Sequence, residues 1–214
     1  MSDRAPLRIA YFASGGGSNV QAILDAIAAR QLDATSAVLV ADRPGCGALD
    51  RAERAGVATR VVAPADFPDA DGFGAALLGV LRHHGADTLV LAGYLKKIPA
   101  SVVRAFAGRI LNVHPSLLPS FGGAGFYGRR VHQAVLDAGC RVSGATVHLV
   151  DAEYDTGPIV LQACVPVEPD DTADALAARV LAVEHQLLPR ALSLLAQGRL
   201  QPEGPRIRIL PPTP

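Results

Sequence analysis

The sequence predicts an α/β protein in which a doubly wound, mostly parallel sheet is followed by an antiparallel pair of strands. Two observations predict this class. Short apolar runs alternate with longer helix-like stretches, which is typical of a parallel sheet with crossover helices. The last two apolar runs are joined only by "AEYDT", which is too short for such a crossover. We expect one domain over residues 1–200 and a tail over 201–214.

The predicted strands are near-continuous hydrophobic runs, as expected of strands that are buried on both faces of a sheet. They cover residues 7–12, 36–42, 59–63, 87–92 and 109–113, and the antiparallel pair covers 142–151 and 157–167.

Helices are predicted where apolar residues recur at spacings of three and four. These stretches are 19–30, 48–55 and 73–84, and a longer helix over 172–197 closes the domain. Pro189 cannot donate a helical hydrogen bond, so we expect it to kink or split this last helix. The tail is expected to be frayed.

The composition favours a small-molecule partner. Twenty basic and twenty acidic residues cancel, so neither a nucleic-acid surface nor a basic membrane patch is expected. No apolar run approaches the roughly 20 residues that cross a bilayer, and we expect no secretion signal at the start of the sequence.

Cys46, Cys140 and Cys164 form no CxxC pair, which suits buried thiols in a reducing compartment. We expect a cytoplasmic protein, and a homodimer remains open.

The stretch "SGGGSN" (14–19) follows the first strand and opens the first helix. Glycines let the backbone approach a ligand closely, and a helix N-terminus favours an anion. We therefore expect Gly15, Gly16 and Gly17, with Ser18 and Asn19, to bind a phosphate. The alternative is that Ser18 or Asn19 merely caps the helix.

A dinucleotide site is less favoured at this loop. The G-x-G-x-x-G pattern would need a glycine at position 20, where the chain has Val20. Asp42 follows the second strand and could imitate the acidic ribose ligand of dinucleotide enzymes. A solvated, exposed aspartate is the alternative expectation for that position.

Two further loops carry polar or apolar groups at strand ends, where ligands bind in open α/β sheets. In "LAGYLKKIP" (91–99), Gly93 supplies a turn. Tyr94, Leu95 and Ile98 either line an apolar cleft or belong to the core, and this segment alone favours the core.

Asn112 and His114 stand where a strand breaks into the loop "PSLLPSFGG". They alternate with Val113, so both side chains point to the same side. A histidine exchanges protons near neutral pH, and an asparagine amide can donate to an oxyanion. Asp155, on a turn closed by "GPI", could orient the histidine. Loop capping is the alternative role for such residues.

The stretches "SGGGSN", "LAGYLKKI", "NVHPSLLPSF" and "SGATVHLVDAEYDTGPIVLQACVPV" together resemble the folate-dependent phosphoribosylglycinamide formyltransferase family of purine synthesis. The likeness covers about residues 7–200. It implies a Rossmann-like formyltransferase fold with a phosphate-binding N-terminal half and a folate-binding, catalytic C-terminal half. It also implies that Asn112, His114 and Asp155 carry catalysis.

The resemblance assigns binding roles as well. Residues 15–19 match the loop that holds the substrate's phosphate. Glu184 matches a glutamate that contacts the sugar hydroxyls. The helix pattern around Glu184 alone predicts a surface position. The folate-binding residues implied by the resemblance are Leu95, Lys96, Lys97 and Ile98, together with Asn112. Many members have Met-Arg at the positions of Leu95 and Lys96, and the stretch 121–132 is longer and richer in glycine here.

The implied reaction moves a formyl group from 10-formyltetrahydrofolate, the co-substrate, to the amine of glycinamide ribonucleotide (GAR). No metal is required. Three alternatives remain open. Formyltetrahydrofolate deformylase shares the catalytic residues but normally carries an extra N-terminal domain, and methionyl-tRNA formyltransferase carries a basic C-terminal one. A non-enzymatic nucleotide-binding module would need the phosphate loop but not Asn112, His114 and Asp155.

Overall fold

The computed structural model describes residues 5–212, which form two compact units that meet in the chain between Leu111 and Asn112. The predicted α/β class is confirmed. In the first unit the strands are β1 (Leu7–Ala13), β2 (Ala34–Ala41), β3 (Thr59–Val61) and β4 (Thr88–Leu91). Its helices are α1 (Ser18–Ala28), α2 (Gly47–Arg54), α3 (Ala70–His83) and α4 (Ala100–Ala105), with a short 3-10 turn at Pro64–Asp66.

The strands of the first unit run in the order β3-β2-β1-β4. The pairs β1–β2, β1–β4 and β2–β3 are all parallel, as the alternating pattern predicts. Ile9, Tyr11 and Phe12 of β1 are fully buried, and burial of each such side chain stabilises the fold by roughly 1.5–3 kcal/mol. The carboxyl ends of β1, β2 and β4 thereby present the glycine loop, Asp42 and the 93–98 segment at one edge.

The strand β5 (Ile110–His114) carries the chain into the second unit. There follow α5 (Arg129–Asp137), β6 (Val142–Leu149), β7 (Ile159–Pro166), α6 (Ala173–Ala196), β8 (Leu200–Glu203) and β9 (Arg206–Ile209), and the strand order is β5-β6-β7-β9-β8.

The strands β6 and β7 pair antiparallel, with Val142 opposite Pro166, so the predicted antiparallel pair is confirmed. Two other expectations are wrong. Pro189 does not split α6, which runs unbroken for 24 residues, because its apolar face stays buried despite one missing backbone hydrogen bond; a kink at Pro189 stays a prediction. Residues 200–209 form the antiparallel hairpin β8–β9 rather than a frayed tail, while residues 213–214 of that tail lie outside the described part.

The thiols also differ from expectation. Cys46 is buried, but Cys140 is half-buried and Cys164 is exposed. Cys164 lies on the same side of β7 as the exposed residues Gln162 and Pro166. Among residues 5–212, no helix combines the length and the apolar character that a bilayer crossing demands.

Candidate active site

The second unit brings Asn112, His114 and Asp155 together. Asn112 Nδ2 donates to Asp155 Oδ1 over 3.3 Å, and His114 Nδ1 lies 3.4 Å from Asp155 Oδ2. Asn112 and His114 come from the end of β5, and Asp155 comes from the β6–β7 loop. The three groups that the sequence singles out therefore form one cluster, at separations slightly longer than the roughly 2.6–3.2 Å of a catalytic hydrogen bond, as is common without bound substrate.

The glycines of the 121–123 loop hold the carboxylate of this cluster. Gly123 N donates to Asp155 Oδ2 over 2.9 Å. A Cβ on Gly122 would overlap Leu118 Cδ2 and lie 3.3 Å from Asp155 Cβ, so a larger residue would press on the Leu118 side chain and on Asp155. Asp155 itself has φ 57°, a conformation that Asp and Asn adopt more readily than other residues with a side chain.

The Asp155 carboxylate stays ionised despite its burial. Burial raises the pKa of Asp155, but the hydrogen bonds to its oxygens and the neighbouring His114 ring outweigh it, so the pKa lies below the ordinary value. A negative charge is therefore fixed beside His114 at neutral pH.

The His114 ring is 4% exposed and faces acceptors on both sides. Nε2 lies 2.8 Å from Phe121 O, and Nδ1 faces Asp155 Oδ2. Only the imidazolium can donate to both at once. Burial nevertheless lowers the pKa of His114, against the opposing effects of Asp155 and the Phe121 carbonyl. The ring is thus arranged to take up a proton when further negative charge develops beside it.

His148 is a member of this cluster that sequence reasoning missed. Its ring is 1% exposed, and Nε2 lies 3.0 Å from Asn112 Nδ2 and 3.5 Å from Asp155 Oδ1. The sequence places it on a strand, but nothing in the pattern of that strand relates it to a residue 36 positions earlier.

A buried network fixes the backbone that follows His114. Leu118 N donates to Thr146 Oγ1 over 3.0 Å, and Thr146 Oγ1 donates to Ser116 O over 2.6 Å. Gln162 Nε2 donates to Leu118 O over 2.9 Å. The proline-containing loop is therefore held by side chains of β6 and β7 as well as by its own rigidity.

The glycine loop of the first unit is built like an anion site. Helix α1 begins after Gly17, whose φ of 73° is left-handed, and no side-chain cap forms at this end, so the alternative of a mere cap by Ser18 or Asn19 is wrong. By contrast, the side chains of Asp69 and Thr172 cap α3 and α6. The first N–H groups of α1 are thus left without a side-chain cap and favour a negative charge.

The loop carbonyls are taken by α2. Ala48 N donates to Gly15 O over 3.1 Å, and Arg51 Nε donates to Gly16 O over 2.8 Å. Because a carbonyl and the next N–H point in opposite directions across a trans peptide, the N–H groups of Gly16 and Gly17 point away from α2. Arg51 was not predicted from the sequence, and it adds a positive charge beside these donors.

The 93–98 segment is anchored to the start of the glycine loop. Ser14 N donates to Gly93 O, and Ser14 Oγ accepts from Leu95 N, both over 3.0 Å. The residues assigned to the folate divide by exposure: Leu95 is 45% exposed, Lys96 and Lys97 are exposed, and Ile98 is 5% exposed.

Asp42 is buried at 7% exposure, so the expectation of an exposed aspartate is wrong. Its Oδ2 lies 3.9 Å from Lys96 Nζ, which partly compensates the buried charge. Glu184 of α6 is also 7% exposed, and the surface position that its helix pattern alone predicts is wrong too. Within the described part of the chain, no three His, Cys, Asp or Glu side chains are grouped to hold a metal ion.

Comparison with known proteins decides the family. A family model described as formyl transferase matches residues 7–192. The chain belongs to the formyl transferase family. Within that family it is 35% identical over 195 residues to phosphoribosylglycinamide formyltransferase of Escherichia coli (strain K12), a match that covers 91% of this chain and 90% of that protein.

Other members of the formyl transferase family are longer. The chloroplastic phosphoribosylglycinamide formyltransferase of Arabidopsis thaliana is 43% identical, and 91% of this chain matches 67% of that protein. The trifunctional purine biosynthetic protein adenosine-3 of Bos taurus is 39% identical, and 91% of this chain matches 19% of it. The chain therefore spans about two thirds of the first relative and a fifth of the second.

Solved structures show the same fold. The crystal structure of glycinamide ribonucleotide transformylase 1 from Symbiobacterium toebii is 43% identical, with a TM-score of 0.92 over 97% of this chain and 95% of that one. A formyltetrahydrofolate deformylase from Pseudomonas syringae is 25% identical, with a TM-score of 0.86 over 96% of this chain and 66% of that one. The fold is thus shared by formyl transferases and by a formyl hydrolase.

Proposed function

We propose that this chain transfers the formyl group of 10-formyltetrahydrofolate to the primary amine of GAR in purine biosynthesis. The observation that carries the proposal is the cluster of Asn112, His114 and Asp155, with contacts of 3.3 and 3.4 Å. An amide, an imidazole and a carboxylate supply a hydrogen-bond donor, a proton carrier and a fixed charge, as an acyl-transfer reaction requires. The similarity to named GAR formyltransferases supports the choice of substrates.

The chemistry begins with the amine of the nucleotide, whose nitrogen attacks the formyl carbon. The new carbon–nitrogen bond leaves a tetrahedral intermediate with a negatively charged oxygen. Asn112 Nδ2 exchanges its 3.3 Å contact with Asp155 for this oxygen, and the protonated His114 exchanges the hydrogen bond from Nε2 to Phe121 O for it, so that both donate to the oxyanion. Removal of one such donor typically lowers the rate by about 100- to 1,000-fold.

Collapse of the intermediate breaks the bond between the formyl carbon and N10 of the folate. The attacking nitrogen gives up a proton and N10 takes one up, so the products carry the same total charge as the substrates. Asp155 orients His114, stabilises its protonated form and assists this transfer, a contribution of about 100- to 10,000-fold for general acid–base catalysis. The group transfer involves no change of oxidation state and needs no metal.

The remaining site residues bind the substrates. The N–H groups at residues 15–19 hold the phosphate of the nucleotide, assisted by the charge of Arg51. Glu184 accepts hydrogen bonds from the sugar hydroxyls. Leu95, Lys96, Lys97 and Ile98, with Asn112, bind the folate. The cytoplasmic location stays a prediction, because the similar plant proteins are named as chloroplastic.

The proposal is tested by incubating the protein with 10-formyltetrahydrofolate, with and without GAR, and following release of tetrahydrofolate. A transferase releases tetrahydrofolate only when the amine is present. Deformylase activity is the second candidate, favoured by the shared fold, and it predicts equal release without GAR. Competition by inorganic phosphate against GAR, but not against the folate, tests the role of the glycine loop.

A further inference from the structure

The ring of His148 is held in one tautomer by its own backbone neighbour. His148 Nδ1 lies 2.8 Å from Leu149 O. A carbonyl oxygen only accepts, so Nδ1 carries the proton. In the neutral ring Nε2 then has a free lone pair, and it is the atom that faces the catalytic cluster.

The lone pair of Nε2 meets the Asn112 amide. Asn112 Nδ2 lies 3.0 Å from His148 Nε2 and 3.3 Å from Asp155 Oδ1. An amide nitrogen has two hydrogens, and here each points to one acceptor. The flipped amide would set its oxygen against a lone pair and a carboxylate, so the two acceptors together fix the orientation of Asn112.

We propose that His148 is a positioning residue, which accepts a hydrogen bond through Nε2 and thereby keeps the donor side of the Asn112 amide inside the catalytic cluster. Asp155 alone supplies one acceptor, at 3.3 Å, and leaves the amide free to rotate about that contact. With His148 in place, the amide nitrogen is held at two points. When the oxyanion forms, the hydrogen in the longer 3.3 Å contact leaves Asp155 and is donated to the oxyanion, while His148 holds the other hydrogen at 3.0 Å and keeps the amide nitrogen in place.

The catalytic consequence rests on the proposed formyl transfer, whereas the tautomer does not. The first test is therefore the nitrogen-15 spectrum of the histidine-labelled wild-type protein at neutral pH, which distinguishes a protonated ring nitrogen from one with a lone pair. We expect the proton of His148 on Nδ1 alone. A proton on Nε2 would overturn the proposal whatever reaction the protein catalyses.

The second test compares two variants at the same site. His148→Phe removes the acceptor, and we expect kcat to fall by at least about tenfold, towards the 100-fold typical of a lost oxyanion donor, with KM for both substrates nearly unchanged. His148→Gln retains an acceptor oxygen and should restore most of kcat. The side-chain NH2 signals of Asn112 should move in the first variant and stay near their wild-type positions in the second.

A matched control separates positioning from packing. His132 of α5 is also a buried histidine, at 4% exposure, and its Nδ1 has no hydrogen-bond partner within residues 5–212. Burial and the nearby His114 ring both lower the pKa of His132, so this control tests packing close to the cluster: His132→Phe should lower thermal stability but leave the Asn112 signals in place. The proposal fails if His148→Phe keeps kcat within tenfold of the wild type, or if His148→Gln is as impaired as His148→Phe.

Discussion

Replacement of Asp155 by asparagine removes one charge and keeps the shape of the site. The left-handed backbone at this position, φ 57°, suits Asn as well as Asp. The hydrogen bonds do not all survive, because one oxygen becomes an NH2 group. That group must face either Gly123 N–H or the Asn112 amide nitrogen, which donate to the two oxygens of Asp155. The variant therefore loses a charge and one acceptor without losing its fold.

The expected size of the effect follows from the distance between the charges. A carboxylate and an imidazolium 3.4 Å apart attract by about 5 kcal/mol at an effective dielectric constant of about 20. Since roughly 1.4 kcal/mol corresponds to a tenfold change in rate, full loss of this attraction would lower kcat by between about three and four powers of ten. The neutral amide still contacts the ring and recovers part of it. We expect kcat to fall by about 100- to 1,000-fold, within the range for general acid–base catalysis.

The assay is steady-state transfer with both substrates varied, and the control is Asp151→Asn in the same loop. Asp151 accepts from Glu153 N and Thr156 Oγ1 and so closes the turn. We expect Asp151→Asn to lower the melting temperature with nearly normal kcat, and Asp155→Asn to do the reverse. A kcat for Asp155→Asn within about threefold of the wild type, far short of the general acid–base factor, would remove Asp155 from the mechanism.

Three other substitutions test the binding loop and the ion pair of Arg179 with Asp171. Nothing lies within 4 Å of a Cβ on Gly16, so Gly16→Val should raise the KM for GAR by about tenfold or more at an unchanged melting temperature. Gly17→Ala, whose Cβ would lie 2.6 Å from Ala48 Cα, should in addition lower the melting temperature. Equal KM increases for both substrates in Gly16→Val would contradict the phosphate role. The hydrogen bonds from Arg179 hold the pKa of Asp171 below its ordinary value, so Asp171→Asn should be less stable than wild type at pH 7. In thermal melts the difference should begin to shrink as the pH falls below the ordinary carboxyl pKa, and it should vanish once the pH has passed below the lowered pKa of the folded protein.

The fold could be predicted from the sequence where burial leaves a clear pattern. The strand β4 is fully buried, and three of its four residues are apolar because both of its faces are covered. The β6–β7 connection is too short for a crossover. The hairpin β8–β9 was missed because its strands are only four residues each and mostly exposed, with Pro202 and two arginines in place of an apolar run.

The site could be predicted only in part, because long-range contacts leave no local signal. Asn112 and His114 share a strand, so their alternation gives their relation directly. The burial of Asp42 depends on Lys96, 54 positions later, and the role of His148 depends on Asn112, 36 positions earlier. Neither of these contacts can be predicted from hydrophobic periodicity, which reports only on neighbours within one helix or strand.

The central claim is that the formyl carbon passes to an amine. The most direct measurement follows a carbon-13 label in the formyl group of 10-formyltetrahydrofolate during incubation with GAR, with both the nucleotide and free formate observed. We expect the label to appear in the nucleotide in an amount equal to the tetrahydrofolate released. Label found in free formate, released at the same rate with and without GAR, would contradict the account.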